Sequence, residues 1–114
     1  MAIRTLTVTI ANTSTTAWTF PLRPTIAAGI TGTGCALAAS ASPTFDGAVQ
    51  LLTLAPGAQD NVSWQFDDAG LLAGTNFAFV KVFADTALTQ CLAGASTSFT
   101  VVALAAQIVS ITVT

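Results

Sequence analysis

The 114-residue chain has no histidine, no tyrosine and no glutamate, and only three basic and five acidic side chains. His and Glu carry most enzymatic proton transfers, so general acid–base chemistry has almost nothing to work with. The single Lys81 leaves hydroxyl nucleophiles without a base. With no His and two Cys, a transition-metal site lacks ligands. A net charge of −2 gives no cationic face to neutralise phosphates, which excludes a nucleic-acid binder. Uninterrupted apolar runs are also absent. Thr, Ser, Gly or Asp breaks each one before the 18 or so residues a membrane helix needs, so no membrane contact is expected. The first ten residues, MAIRTLTVTI, lack the continuous apolar core of an export signal. Cofactors are not called for.

What is present is apolar and hydroxyl-bearing. Hydrophobic residues make up 53% of the chain and charged residues 7%. That apolar content is too high for a disordered tail. A folded monomer of this mass exposes about 5,800 Å², so eight charges leave roughly one per 700 Å², several-fold sparser than in an average domain. Ser and Thr supply roughly a quarter of the chain and Ala roughly a fifth, well above ordinary usage. So quiet an exterior points to a surface shielded by neighbours: copies of the chain itself in a homo-oligomer, a larger protein scaffold, or both. The alternative is a hydroxyl-rich monomer.

The periodicity is that of strands. Leu6, Val8 and Ile10 alternate with Thr5, Thr7 and Thr9. Trp18, Phe20 and Leu22 share a face of the next strand, which Pro21 and Pro24 mark as an edge strand or one ending at a bulge. The Gly/Ala/Ser-rich stretch 27–42 reads as a loop with one short strand near 35–39. A strand over 48–54 leads into Ala55-Pro56-Gly57, a type II turn signature. Val62, Trp64 and Phe66 alternate with polar residues. The strand over 76–85 is apolar on both faces and is therefore central or covered on both sides. Residues 86–97 read as a loop, and Phe99 opens the final strand. About seven short strands with turns every ten residues or so suggest a β-sandwich.

Four stretches carry a family resemblance: Leu6-Thr7-Val8-Thr9-Ile10-Ala11-Asn12-Thr13, Leu54-Ala55-Pro56-Gly57, Val62-Ser63-Trp64 and Ala73-Gly74-Thr75-Asn76-Phe77. In this order they resemble bacterial Ig-like domains of the cell-adhesion-related type, across residues 5–102. The segment 25–47 and the C-terminus depart from that pattern. The resemblance implies an all-β, Ig-like antiparallel sandwich over 1–102, used as a structural or adhesive module without catalytic residues. It also places Cys35 and Cys91 in loops at the same end of the sandwich, where a disulfide is geometrically open. Two buried free thiols are the alternative, and no Trp follows Cys35 at the spacing of the usual Ig disulfide. A bond would imply an oxidising, extracellular or virion-surface setting.

Residues 103–114 form an extension. In it Val109, Ile111 and Val113 oppose Ser110 and Thr112, with Ile108 adding a further apolar side chain. The segment is uncharged, β-branched and free of Gly and Pro, which is hazardous if left loose. It is either an additional C-terminal strand paired in its own sheet or an assembly strand given to a neighbouring subunit.

Among the remaining polar residues, Asp67-Asp68 reads as turn chemistry before a calcium site. Trp18 and Trp64 read as core before ligand platforms. Asn12 and Asn61 sit in glycosylation-type triplets that recur by chance. The resulting expectation is a non-enzymatic assembly protein, a virion component such as a capsid decoration or tail-associated protein. The alternative is an extracellular or cell-surface adhesion or glycan/protein-binding module.

Overall fold

A computed structural model describes residues 2–102 and 106–114, and these are all-β with every strand pairing antiparallel. The strands are β1 (Ile3–Ala11), β2 (Trp18–Thr31), β3 (Ala38–Asp46), β4 (Gln50–Leu54), β5 (Gln59–Asp67), β6 (Gly74–Phe83) and β7 (Cys91–Val101). Among the described residues β1 pairs only with β5. The other five strands form the second sheet, in which β2 and β6 are central and β7 is an edge. Opposite β6, the far side of β2 is lined end to end by β3 (against Thr25–Thr31) and β4 (against Trp18–Leu22).

The core lies between the sheets. Phe20, Leu22, Leu54, Val80 and Val82 of the larger sheet meet Val62 and Trp64 of β5. On β1, Leu6, Val8 and Ile10 are only half-buried, while Thr5, Thr7 and Thr9 face solvent. Those hydroxyls bond across to β5. Thr7 Oγ1 and Ser63 Oγ share a hydrogen bond of 2.9 Å, and Thr9 Oγ1 donates to Asn61 Oδ1 at 2.7 Å. Thr19 and Thr53 make a similar pair at 2.8 Å. Cross-strand hydroxyl pairs explain how so few charges serve the outer faces.

The prolines do not make β2 an edge strand. Pro24 faces Gly47 and accepts its N–H at 2.9 Å. The return bond that another residue would make is the one missing, and it falls in the break between β3 and β4. A Cβ on Gly47 would lie 2.5 Å from the Pro24 ring, so the break also needs glycine. Pro21, three residues earlier, points to the opposite edge. There the β2–β6 pairing has already stopped at Leu22↔Val82. Each missing donor therefore falls where a ladder ends.

The stretch 27–42 is not a loop. It forms the far half of the β2–β3 ribbon, with a 3₁₀ turn at Gly34–Ala36 in its tip. Small residues hid the alternation. The ribbon has irregular pairings around Gly29 and folds back over the sheet. Ala27 pairs with Phe77 and hence lies near Ser98, yet the tip beyond it reaches Cys91, which pairs with Phe83. That reversal spans roughly 20 Å of strand. It brings the tip onto the outer face at Gly94, the face on which Phe79 and Phe83 are buried although they point away from β1 and β5. Leu37, at the tip, is fully buried. Similarly, β7 starts at Cys91 and not near Phe99, again through small residues (Ala93, Gly94, Ala95, Ser96).

Asn12 is buried and holds one corner together. Its Nδ2 donates to the Thr16 and Leu54 carbonyls at 2.9 and 3.0 Å, and its Oδ1 accepts from Ser14 N and Oγ. Its backbone N–H donates to the Ala58 carbonyl, and its own carbonyl accepts from Gly57 N. The turn 55–58, closed by Ala58 N–H to the Ala55 carbonyl, is thereby fixed to the end of β1. So committed a side chain is no glycan acceptor in the folded chain. Asn12→Ala leaves buried carbonyls unpaired and should lower the unfolding free energy by roughly 1–3 kcal/mol, read from urea denaturation with an unchanged m-value.

Candidate functional site

The carboxylates serve structure. Asp67 accepts from Ala69 N and caps the 3₁₀ turn Asp68–Gly70. Asp68 is buried; its Oδ2 accepts from Arg4 Nε at 2.9 Å and its Oδ1 from Ala2 N at 2.7 Å. These two bonds, the Arg4 one foremost, hold its pKa below the ordinary carboxylate value. Arg4 also donates to the Thr100 carbonyl at 2.7 Å and lies over the Phe99 ring, which meets Phe66 edge-on. One guanidinium therefore fastens β1, the end of β5 and β7 at one end of the sandwich. Asp46, bonded to Thr25 Oγ1 at 2.7 Å and to Arg23, has its pKa lowered chiefly by the Thr25 hydroxyl. Asp85 accepts from Thr89 and Gln90 within its own loop. Among the described residues no three His, Cys, Asp or Glu side chains gather as a metal site.

Of the two tryptophans, Trp64 is core, its Nε1 bonded to the Ala48 carbonyl at 2.8 Å. Trp18 is not core. It is 47% exposed, its Nε1 donating to the Ala84 carbonyl, because it lies at the end of β2, beyond the cover of the smaller sheet.

Cys35 and Cys91 are joined, with Cα atoms 5.9 Å apart and a sequence separation of 56. The bond ties the ribbon tip to the start of β7. The close approach there leaves no room at Gly94, where a Cβ would sit 2.4 Å from the Gly34 carbonyl oxygen.

Two concave surfaces flank the smaller sheet. One is a cleft of about 450 Å³ between β5 and the β2–β3 ribbon, lined by Pro24, Ile26, Phe45, Trp64 and Phe66, with Asp46 at its rim. On this side Gln50 Nε2 donates to the Ser63 carbonyl at 2.7 Å and Trp64 reaches Ala48, so β5 is bridged to the larger sheet. The other is a groove between β1 and β7. Two hollows of about 160 and 320 Å³ follow one another along it, from Leu6 and Val8 to Ile10 and Leu92. Its β7 wall carries Ala93, Ala95 and Thr97, exposed although they face the smaller sheet.

The extension 106–114 has no regular secondary structure, and its apolar side chains stand in solvent: Ile108 81%, Val109 86%, Ile111 83% and Val113 96% exposed. Residues 103–105 of the expected extension lie outside the described residues. The chain exposes 7083 Å² in all, more than the roughly 5,800 Å² of a compact chain of this mass. No family model matches the chain, and no curated protein or solved structure matches it.

Two outcomes follow from this chemistry. Cys35→Ser/Cys91→Ser should lower the unfolding free energy by about 4 kcal/mol, as expected for a crosslink of this loop length. Lowered folded-state pKa values at Asp46, Asp68 and Asp85 mean that the unfolded chain takes up protons first on acidification. The contribution is complete above about pH 4 and is lost below it. The urea midpoint should fall between pH 6 and pH 3, and Arg4→Met should flatten that dependence.

Proposed function

We propose that this chain is a non-enzymatic assembly protein, an Ig-like β-sandwich that packs against copies of itself or a larger scaffold. We place it in a virion, as a capsid decoration or tail-associated protein. The observation that carries this reading is the solvent-exposed, uncharged, β-branched segment 108–113. Four such side chains in water invite burial in a neighbour. Burying each contributes roughly 1.5–3 kcal/mol, comparable in sum to the roughly 4–15 kcal/mol cost of association. Backbone pairing must therefore add to it, which favours a strand partner over a mere patch. The sparse surface charge and the hydroxyl-rich strand faces support the same reading, and the disulfide suits an oxidising setting such as a virion surface.

A second reading is an extracellular adhesion or binding module. The disulfide-tied tip and the 450 Å³ apolar cleft favour it. Size-exclusion chromatography with light scattering separates the two. An assembly protein runs as an oligomer, and deleting residues 107–114 leaves a folded monomer. A binding module runs at one chain mass of 11.5 kDa with or without them.

A further inference from the structure

The assembly reading leaves open where the segment goes, and the groove between β1 and β7 has the shape of its receptor. Among the described residues β1 is paired on one side only. The Ser63 carbonyl is taken by Gln50, and the Thr7 and Ser63 side chains touch across the strands. Thr7↔Ser63 is thus a pair without mutual backbone bonds, so the backbone groups of Thr5, Thr7 and Thr9 point to the open edge. β5 lacks this freedom, because Gln50 and Trp64 bridge it to the larger sheet.

The side chains match as well. Leu6, Val8 and Ile10 present half-buried apolar groups at every second residue over five positions. Val109, Ile111 and Val113 do the same over five positions. The opposite wall is built of small residues, Ala93, Ala95 and Thr97, which leaves space for β-branched side chains. With those three turned inward, Ser110 and Thr112 would extend the hydroxyl pairs that Thr7 and Thr9 already make with β5. Arg4 and Phe99 close one end of the groove.

We infer that residues 108–113 of one copy add as a strand to the open edge of β1 in a second copy, antiparallel to it. Val109, Ile111 and Val113 fill the groove against β7. A second copy is the fitting donor because of direction. β7 ends beside the start of β1, where Arg4 holds Thr100. Turning straight back, the chain's own tail would run parallel to β1, with only six residues between Val101 and Ile108. A strand from another copy enters antiparallel. The contact is head-to-tail, so it closes into rings or continues as open chains. This inference rests on the assembly reading.

The test uses the full chain with its disulfide intact. Ile111→Asp spoils the tail and leaves the groove. Ala95→Arg fills the groove, at an exposed position, and leaves the tail. Each variant alone should run at one chain mass, 11.5 kDa, and an equimolar mixture should recover a pair of about twice that mass. Amide exchange at Thr5, Thr7 and Thr9 should be at least ten-fold slower in the full chain than in Ile111→Asp, a comparison that stands even if Ala95→Arg misfolds. An assembling full chain that Ile111→Asp breaks but Ala95→Arg does not, with fast β1 amides, overturns the groove and keeps the assembly reading. Slow β1 amides in a monomeric full chain place the tail in its own groove and overturn the exchange. A monomeric full chain with fast β1 amides overturns the strand exchange and the assembly reading together.

Discussion

Two strands, β1 and β5, have to cover the inner faces of a sheet four strands wide. That mismatch organises the molecule. Val62 and Trp64 on β5 sit over Phe20, Leu22 and Leu54 and are buried with them, and Gln50 and Trp64 bridge β5 to the β4 side. β1 has no comparable neighbour on its free side, so Leu6, Val8 and Ile10 stay half in water and β7 shows solvent residues that ought to be interior. Arg4 closes one end of this opening with a single guanidinium shared among Asp68, Thr100 and Phe99. The rest remains open along β1, between Leu6 and Ile10 on one side and Ala93 and Ala95 on the other.

The opposite face of the large sheet meets the same shortage differently. No third layer exists among the described residues, so the β2–β3 ribbon turns back on itself and Cys35–Cys91 pins its tip beside Gly94. Phe79 and Phe83 on that face are buried. A chain this size has little apolar volume to spare, and closing a long loop covalently offsets what a small core does not supply. The unusual surface follows from the same economy: hydroxyl pairs across strands replace ion pairs, and four of the five carboxylates, all but Asp60, are held in turns or against Arg4 and Arg23.

How much could be read from residues alone depended on side-chain size. Where large and polar residues alternate, as in 6–10 and 62–66, pattern and structure agree, because period two is the signature of a half-buried strand. β6 was legible as central because both its faces are apolar. Where Ala, Gly and Ser fill both faces, as in 27–42 and 91–98, the strand carries no contrast and looks like loop. The prolines misled for a related reason. Their position in a ladder depends on where the partner strands stop, and a single strand's sequence does not contain that. Trp18 alternated correctly but lies past the end of its cover.

Composition and periodicity determined the all-β class and the lack of His and Glu side chains, since each is a property of residue types and their spacing along one strand. Only the tertiary structure decided that β2 is central, that the ribbon folds back to join Cys35 to Cys91, that Asn12 is buried at a corner, and that β1 keeps a bare edge. These are relations between segments far apart in the chain. They are set by which ladders end where and by how much of one sheet another can cover, and neither quantity is written in any local stretch of residues.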